Sequence, residues 1–160
     1  MPKSKSRGKK YSPNRWIECA VLANEKRADA KPLTQQRQNE IALGHHLSFE
    51  ALMRCPDDAH WYDLCGNLNM CLVLAEMGHG SEYIDEIKAA MIGMMRARYR
   101  ADRTGSLALD ADAIKAIRTV LELHDEQLRV VERSDLRKAA RSIVARVNSG
   151  DMYPEHLEVA

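Results

Sequence analysis

The sequence predicts an all-α protein: a compact bundle of four or five helices with a disordered basic N-terminal arm. Three observations favour this fold class. Apolar residues recur every three or four positions through most of residues 34–150, which is typical of amphipathic helices. No segment alternates apolar and polar residues as a half-buried strand does. The linkers between the periodic segments are short, which favours antiparallel neighbours in a bundle.

We predict that residues 1–13 are the disordered basic arm, because they contain no side chains that could drive burial. Its cations are Lys3, Lys5, Arg7, Lys9 and Lys10. The formal net charge of the chain is +1, so the remainder carries about −4 once these five charges are removed. Residues 14–33 form a lead-in that is either extended or a short helix. Helical spacing is shown by Trp16, Ile17, Val21 and Leu22, but the stretch then turns polar and reaches Pro32.

The first predicted helix of the bundle runs from Thr34 to Arg54, with Thr34 as its N-cap. Its inward face is expected to carry Ile41, His45, Ser48 and Leu52. The second helix runs from Pro56 to Met77, with Pro56 in the favoured first-turn position. Because residues 70–75 are apolar all round, this helix is expected at the centre of the bundle. Gly78 or Gly80 is expected to end it.

Three more helices complete the predicted bundle. The third begins near Ser81, whose side chain is a natural cap, and Gly105 ends it. The fourth opens at Asp110 and has the most regular apolar spacing of the chain, through Ile114, Ile117, Leu121, His124, Leu128 and Val131. The fifth starts at Ser134, with a core face of Leu136, Ala139, Ala140, Ile143, Val144 and Val147. Residues 151–160 are a polar C-terminal tail.

Length and composition favour a single cytoplasmic domain. A chain of 160 residues buries enough apolar surface to fold unaided. No apolar run reaches the roughly 20 residues that cross a bilayer, and the N-terminus lacks the apolar core of a secretory signal. We therefore expect no membrane partner, and reduced thiols at the four cysteines. The apolar central helix and the Met-rich third helix leave a homodimer open.

A second basic cluster lies at the end of the third helix, where Arg96, Arg100 and Arg103 share one face. Together with the five cations of the arm, these are the predicted contact residues for a partner or for nucleic acid, because arginine and lysine neutralise phosphates without reading sequence. The alternative is structural, since cations at a helix C-terminus are favoured by the helix dipole. A third basic group, Arg137, Lys138 and Arg141, falls early in the fifth helix.

The residues that could carry chemistry do not form a recognisable site. The spacing of Cys55, His60, Cys65 and Cys71 lacks the close pair that zinc sites use. One Glu-x-x-His match, Glu76–His79, has no second copy of the kind that di-iron bundles require. His124 at a core position is either a general base or a histidine that hydrogen-bonds between helices. We predict no catalytic residues, no metal ligands and no cofactor.

The stretch Leu68–Met95 and the later Leu-Glu-Leu-His-Asp-Glu-Gln-Leu at residues 121–128 resemble small helical proteins of unknown role that phages and plasmids of Gram-negative bacteria encode. The basic N-terminal arm is similar too, and the resemblance spans residues 1–135. It implies a mobile-element accessory protein that acts in the cytoplasm of a bacterial cell. It carries no catalytic residues over to this chain.

The function expected from the sequence is that of a non-enzymatic accessory protein that binds a macromolecular partner. The partner would be a host or phage protein complex, for example a bacterial defence system. The first alternative is a nucleic-acid-binding accessory protein that uses the basic arm on DNA or RNA. The second alternative is a small helical enzyme or metalloprotein, which requires His124 or the Cys55–Cys71 region to converge in a pocket.

Overall fold

A computed structural model describes residue 27 and residues 30–149 of the chain. Five α-helices follow one another in this part, with a short 3-10 turn, Ser81–Tyr83, before the third. They are α1 (Gln35–Arg54), α2 (Asp58–Glu76), α3 (Ile84–Thr104), α4 (Ala111–Val130) and α5 (Arg133–Ser149). The predicted all-α bundle is confirmed. The predicted arm at 1–13, most of the lead-in at 14–33 and the tail at 151–160 lie outside the described residues.

The second helix, α2, is the centre of the bundle, as its apolar composition predicted. It packs against α1, α3, α4 and α5, and residues 71–75 are all buried. Its C-terminus is closed by two backbone bonds: Gly78 N–H donates to Ala75 O, and His79 N–H donates to Leu74 O. This pattern requires positive φ at Gly78, which is 101°. Gly78 is therefore the glycine that ends the helix.

Local side-chain chemistry placed two helix starts correctly and two wrongly. Thr34 and Asp110 accept hydrogen bonds from the first turns of α1 and α4, as predicted caps should. At α2 the cap is Asp57, which accepts from His60 N–H, so Pro56 lies before the helix and not in its first turn. Ser81 does not cap α3 either, because it opens the 3-10 turn and α3 begins at Ile84 without a side-chain cap.

The third and fourth helices cross closely. A Cβ added at Gly93 of α3 would lie 2.6 Å from Ala113 Cβ and 3.0 Å from Ala113 Cα. Real Cβ atoms essentially never approach other atoms so closely, so glycine is what lets the two backbones meet here. Met91 and Met94, on the same helix, are buried in the core, so they fill the bundle and do not form an open surface.

The prediction for the core face of α5 was largely wrong. Among its residues only Ala139 is buried, while Leu136 and Ile143 are partly buried. Ala140 is exposed, and the side chains of Val144 and Val147 are 58% and 54% exposed. The reason is that, within the described residues, α5 packs against α2 and no other helix. A single neighbouring helix covers only one stripe of side chains, so the other apolar side chains of α5 are exposed to solvent.

Candidate functional site

Two of the arginines predicted to contact a partner, Arg96 and Arg100, are hydrogen-bonded to one aspartate of the same chain, Asp110. Arg96 donates two hydrogen bonds to the carboxylate of Asp110, at 3.2 and 3.0 Å. Arg100 donates to the same carboxylate at 3.4 Å and to the Ala108 carbonyl. Asp110 also caps α4 by accepting from Ala113 N–H at 2.8 Å. This clamp ties the end of α3 to the start of α4.

The charges on the clamp stabilise one another. Hydrogen bonding to Arg96 is the main cause that holds the pKa of Asp110 below its ordinary value. The same bond raises the pKa of Arg96. To bind phosphate, Arg96 and Arg100 would have to break their hydrogen bonds to Asp110 or bind both groups at once. Arg103, the third predicted contact residue on α3, is exposed in the last turn of that helix.

The other predicted basic groups lie apart from this clamp. Lys3, Lys5, Arg7, Lys9 and Lys10 fall outside the described residues. On α5, Lys138 pairs with Asp135 at 2.9 Å. Arg133, Arg137 and Arg141 recur every four residues and are exposed on one side of the helix. The exposed cations of α5 therefore form a separate basic face, which we call the α5 arginine face.

A cluster of histidines joins α1 to α4, and it is the most unusual chemical feature of the described core. The rings of His45 and His124 stack with their centroids 4.6 Å apart and their planes at 27°. One residue along each helix, His46 Nε2 lies 3.0 Å from Asp125 Oδ2. Three buried atoms have no hydrogen-bond partner among the described residues: His45 Nδ1, His124 Nε2 and Asp125 Oδ1.

Gln127 fixes the proton position on His124. Its amide nitrogen donates to the carbonyls of Cys71, at 3.1 Å, and His79, at 2.8 Å. The amide oxygen must therefore be the atom that faces His124 Nδ1, at 2.8 Å, and it can only accept. Nδ1 of His124 carries the hydrogen, and the buried Nε2 carries a lone pair.

Burial keeps both stacked histidines neutral near pH 7. It is the largest cause that lowers the pKa of His45 to about 4, and the nearby His124 ring adds to this effect. Burial also lowers the pKa of His124, against the opposing hydrogen bond to Gln127 and the charge of Asp125. His124 is 1% exposed, so in this conformation its free nitrogen cannot meet a substrate.

The cluster does not have the geometry of a metal site. A metal ion lies in the plane of each imidazole that binds it, and two nearly parallel stacked rings cannot direct their lone pairs at one ion. Within residues 27 and 30–149 no group of three or more histidine, cysteine or acidic side chains is placed to hold a metal ion. Cys71 is buried and Cys65 is partly buried, and burial raises the pKa of both thiols to about 12.

The Glu-x-x-His match also separates into two structural contacts. Glu76 accepts hydrogen bonds from Arg146 of α5. His79 Nε2 lies 3.4 Å from Asp135 Oδ2. Both contacts fasten α5 to the end of α2, so the two side chains do not face a shared site.

Exposed apolar side chains mark the outer face of α1. Leu43 and Leu47 are 60% and 58% exposed, and they lie one helical turn apart. Between them, Gly44 has no atom within 4 Å of the position that a Cβ would take. The bundle therefore leaves both leucines open to solvent. This Leu43–Leu47 pair is a surface on which another helix can approach the backbone closely.

Sequence reasoning missed Gln127 and the pair of His46 with Asp125. Gln127 follows His124 by three residues, so the helical period does place the two on one face. That spacing is the signal that could have identified the pair. No local signal links His46 to Asp125, because they are 79 positions apart in the sequence.

Comparison with known proteins yields no relative: no protein-family model, no curated protein and no solved structure matches the chain. Among the described helices, none is both long enough and apolar enough to cross a membrane.

Proposed function

We propose that the protein is a non-enzymatic accessory protein of a phage or plasmid that binds a protein complex of its bacterial host or of the phage. The observation that carries this proposal is the Leu43–Leu47 pair on α1. Both leucines are more than half exposed and contribute little to the described core. Because about 60% of each side chain is left to bury, its transfer from water into an interface is favourable by about 1–2 kcal/mol for each leucine.

The contacts that the α3 arginines make within the chain favour a protein partner over nucleic acid. Two of the three arginines predicted to contact phosphate are bonded to Asp110. A partner that docks on α1 leaves this clamp intact. The mobile-element context rests on the resemblance of Leu68–Met95 and residues 121–128 to accessory proteins of phages and plasmids.

Affinity purification of the full chain from bacterial cells tests this function, with and without nuclease. A partner complex that survives nuclease and is lost in Leu43→Asp or Leu47→Asp would support it. The matched control is Val130→Asp, because Val130 is 66% exposed and lies at the end of α4. If all three variants retain the same partner, the Leu43–Leu47 pair is not the docking surface.

The second candidate function is nucleic-acid binding, and the α5 arginine face favours it. Arg133 and Arg141 are exposed on this face. Together with the arm they offer a surface that can neutralise several phosphates. Binding of this kind should weaken steeply as salt is added, because each phosphate contact releases counterions. A titration of duplex DNA and of single-stranded RNA at roughly 50 and roughly 200 mM salt distinguishes nucleic-acid binding from an apolar protein interface. Over this range phosphate contacts lose orders of magnitude in affinity, whereas an apolar interface changes little.

A further inference from the structure

The exposed side of α1 carries a pattern of charge around the Leu43–Leu47 pair. Exposed charged side chains occupy the turns before and after the two leucines, and they are Arg37, Glu40, Glu50 and Arg54. Each end of the helix holds one pair within the chain. Arg37 Nη1 lies 2.9 Å from Glu40 Oε2, and Arg54 Nη2 lies 3.7 Å from Glu50 Oε2. Both signs of charge are therefore present at both ends of the apolar patch.

Leu47 is the centre of this pattern. Glu40 lies seven positions before Leu47 and Arg54 lies seven positions after it. Seven residues are close to two helical turns, so all three side chains fall on one side of α1, with the charges about 10 Å from the leucine. Closer to the centre, Leu43 and Ala51 lie four positions away in the two directions. Residues at equal distances from Leu47 are thus either both apolar or opposite in charge.

Such a pattern is complementary to itself under one symmetry operation. A two-fold axis through Leu47, perpendicular to α1, brings a second copy of the helix alongside in the antiparallel direction. It places Glu40 of each copy opposite Arg54 of the other. An axis midway between the two leucines would instead place Glu40 opposite Glu50, and a parallel pair would place each charge opposite itself. Neighbouring like charges are destabilising, so of these three arrangements the pattern favours the axis at Leu47.

Gly44 leaves room for a second helix at this place. No atom lies within 4 Å of the position that a Cβ would take on Gly44. The glycine is one turn before Leu47, on the same exposed side of α1. Because it has no side chain, a leucine from another chain can reach the backbone of α1 there.

The other exposed apolar stripe, on α5, does not suit a second copy. Val144 and Val147 are exposed there beside the α5 arginine face. The one acidic residue of α5 is Asp135, and it already bonds Lys138 at 2.9 Å. Two copies that met through α5 would therefore bring like charges together with no acid to offset them. Charge complementarity assigns the second copy to α1.

We propose that two copies of the chain associate through α1, with the two helices antiparallel and the two-fold axis at Leu47. Leu47 packs on Leu47 and Gly44 of the second copy, and Leu43 packs on its Ala51. Three successive apolar layers form the centre of this contact: one pairs Leu47 with Leu47, and the two beside it pair Leu43 with Ala51.

An alternating network of charge closes each end of the contact. Glu40 of one copy bonds Arg54 of the other, which joins the pairs Arg37–Glu40 and Glu50–Arg54 into a row of four charges of alternating sign. A network of this kind contributes more than isolated surface pairs do. One helix face per chain is a small interface, below about 1,200 Å² in total, so the dimer exchanges readily with monomer.

This inference goes beyond the function proposed above. A partner complex that docks on the Leu43–Leu47 pair would have to displace the second copy, so the chain would meet its partner as a monomer released from a weak dimer. The dimer itself requires no partner, so it is tested on the purified full chain, separately from the capture experiment.

Sedimentation equilibrium of the full chain from about 10 µM to about 1 mM, with a reductant present, measures the association; we expect a dimer with a Kd of about 100 µM. Glu40→Arg places like charges opposite each other at both ends, and Arg54→Glu does the same with the signs reversed. Each should raise the Kd by about tenfold. An equimolar mixture of the two variants restores opposite charges at both ends of a mixed dimer, so it should associate like the unmodified chain. The chain with both substitutions should do so as well.

The matched control is Glu126→Arg. Glu126 is exposed on α4 and pairs with Arg129 three positions away, just as Glu40 pairs with Arg37. This variant should leave the Kd unchanged, and thermal unfolding of every variant checks that it is folded. Leu47→Asp should abolish the dimer, because two carboxylates would meet at the axis.

A chain that stays monomeric at about 1 mM would overturn the proposal. A dimer that survives Leu47→Asp, or one that the mixture of charge variants does not restore, would also overturn it, since the contact would then lie elsewhere or have another symmetry. If the chain is monomeric while Leu43→Asp still loses a captured partner, the leucines bind the partner alone. That result would refute the dimer and leave the proposed function standing.

Discussion

Lowering the pH from 6.5 to 5 is expected to destabilise the folded chain, because two histidines are buried as neutral rings between α1 and α4. In the unfolded chain each would take up a proton near pH 6.5. In the folded chain the pKa of His45 is lowered to about 4, and the pKa of His124 is lowered as well. The unfolded chain therefore binds more protons between these values, so stability is complete above pH 6.5 and is lost as the pH falls.

The size of the effect follows from the width of this pH window. A pKa difference contributes about 1.4 kcal/mol per pH unit for each group, so the lowered pKa of His45 contributes at most about 2 kcal/mol over this window of about 1.5 units. The ring of His45 is only partly buried, and solvent reduces its share. We therefore expect His45 to lower the free energy of unfolding by about 1–2 kcal/mol between pH 6.5 and 5, and His124, whose pKa is also lowered, to lower it further. The carboxylates of Asp110 and Asp135 have lowered pKa values, so their contribution is lost only at lower pH.

Urea unfolding followed by circular dichroism at several pH values measures this dependence. The variant His45→Phe keeps an aromatic ring on His124 while it removes one titrating group and one unpaired nitrogen. It should match or exceed the stability of the unmodified chain at pH 7 and reduce the pH slope by up to half. The control His60→Gln, outside the cluster, should keep most of the slope. A flat profile in the unmodified chain, or an unchanged slope in His45→Phe, would refute the assignment of neutral buried rings.

Three further predictions concern the packing and the termini. Gly93→Ala should destabilise the chain by about 1–3 kcal/mol, because its Cβ would clash with Ala113. Gly66→Ala has open space around it and should stabilise the chain by up to about 1 kcal/mol. Urea midpoints that shift in the same direction in both variants would contradict this. Asp110→Ala should lower the free energy of unfolding by about 1–2 kcal/mol, and Asp110→Asn should lower it less, because asparagine still caps α4. Equal decreases in urea unfolding would assign the effect to the lost charge alone. Deletion of residues 1–10 should leave the Tm nearly unchanged, since beyond Met1 and Pro2 this stretch has no apolar side chains for a core, and a large fall measured by calorimetry would disprove that.

The parts of the fold that were predictable from the sequence are those decided within one or two helical turns. Thr34 and Asp110 are caps because their own oxygens reach the N–H groups three residues on. Gly78 and Gly105 end helices because only glycine adopts their positive φ values at low cost. Chemistry of this range is contained in any short window of the sequence.

Apart from the two helix starts placed at Pro56 and Ser81, the errors arose where a neighbour far away in the sequence decides the outcome. The apolar period of α5 shows which side chains share a face, but it does not show that one helix alone covers them. Likewise, the spacing of the arginines at the end of α3 is that of an exposed basic face. The sequence does not show that two of them, Arg96 and Arg100, are hydrogen-bonded to Asp110 beyond the next turn. His46 and Asp125 meet only because α1 and α4 pack together.

The structure separates the cations of this protein into two groups with different consequences for binding. Arg96 and Arg100 hold α4 in place through Asp110, so replacing them changes the stability of the bundle as well as its surface charge. The α5 arginine face contributes to no described core cluster, so replacing Arg141 should change surface charge with little effect on folding. A partner that requires Arg141 but tolerates Arg96→Lys would therefore be recognised on α5. A partner that tolerates both changes but is lost with Leu43→Asp would be recognised on α1, where the bundle exposes Leu43 and Leu47.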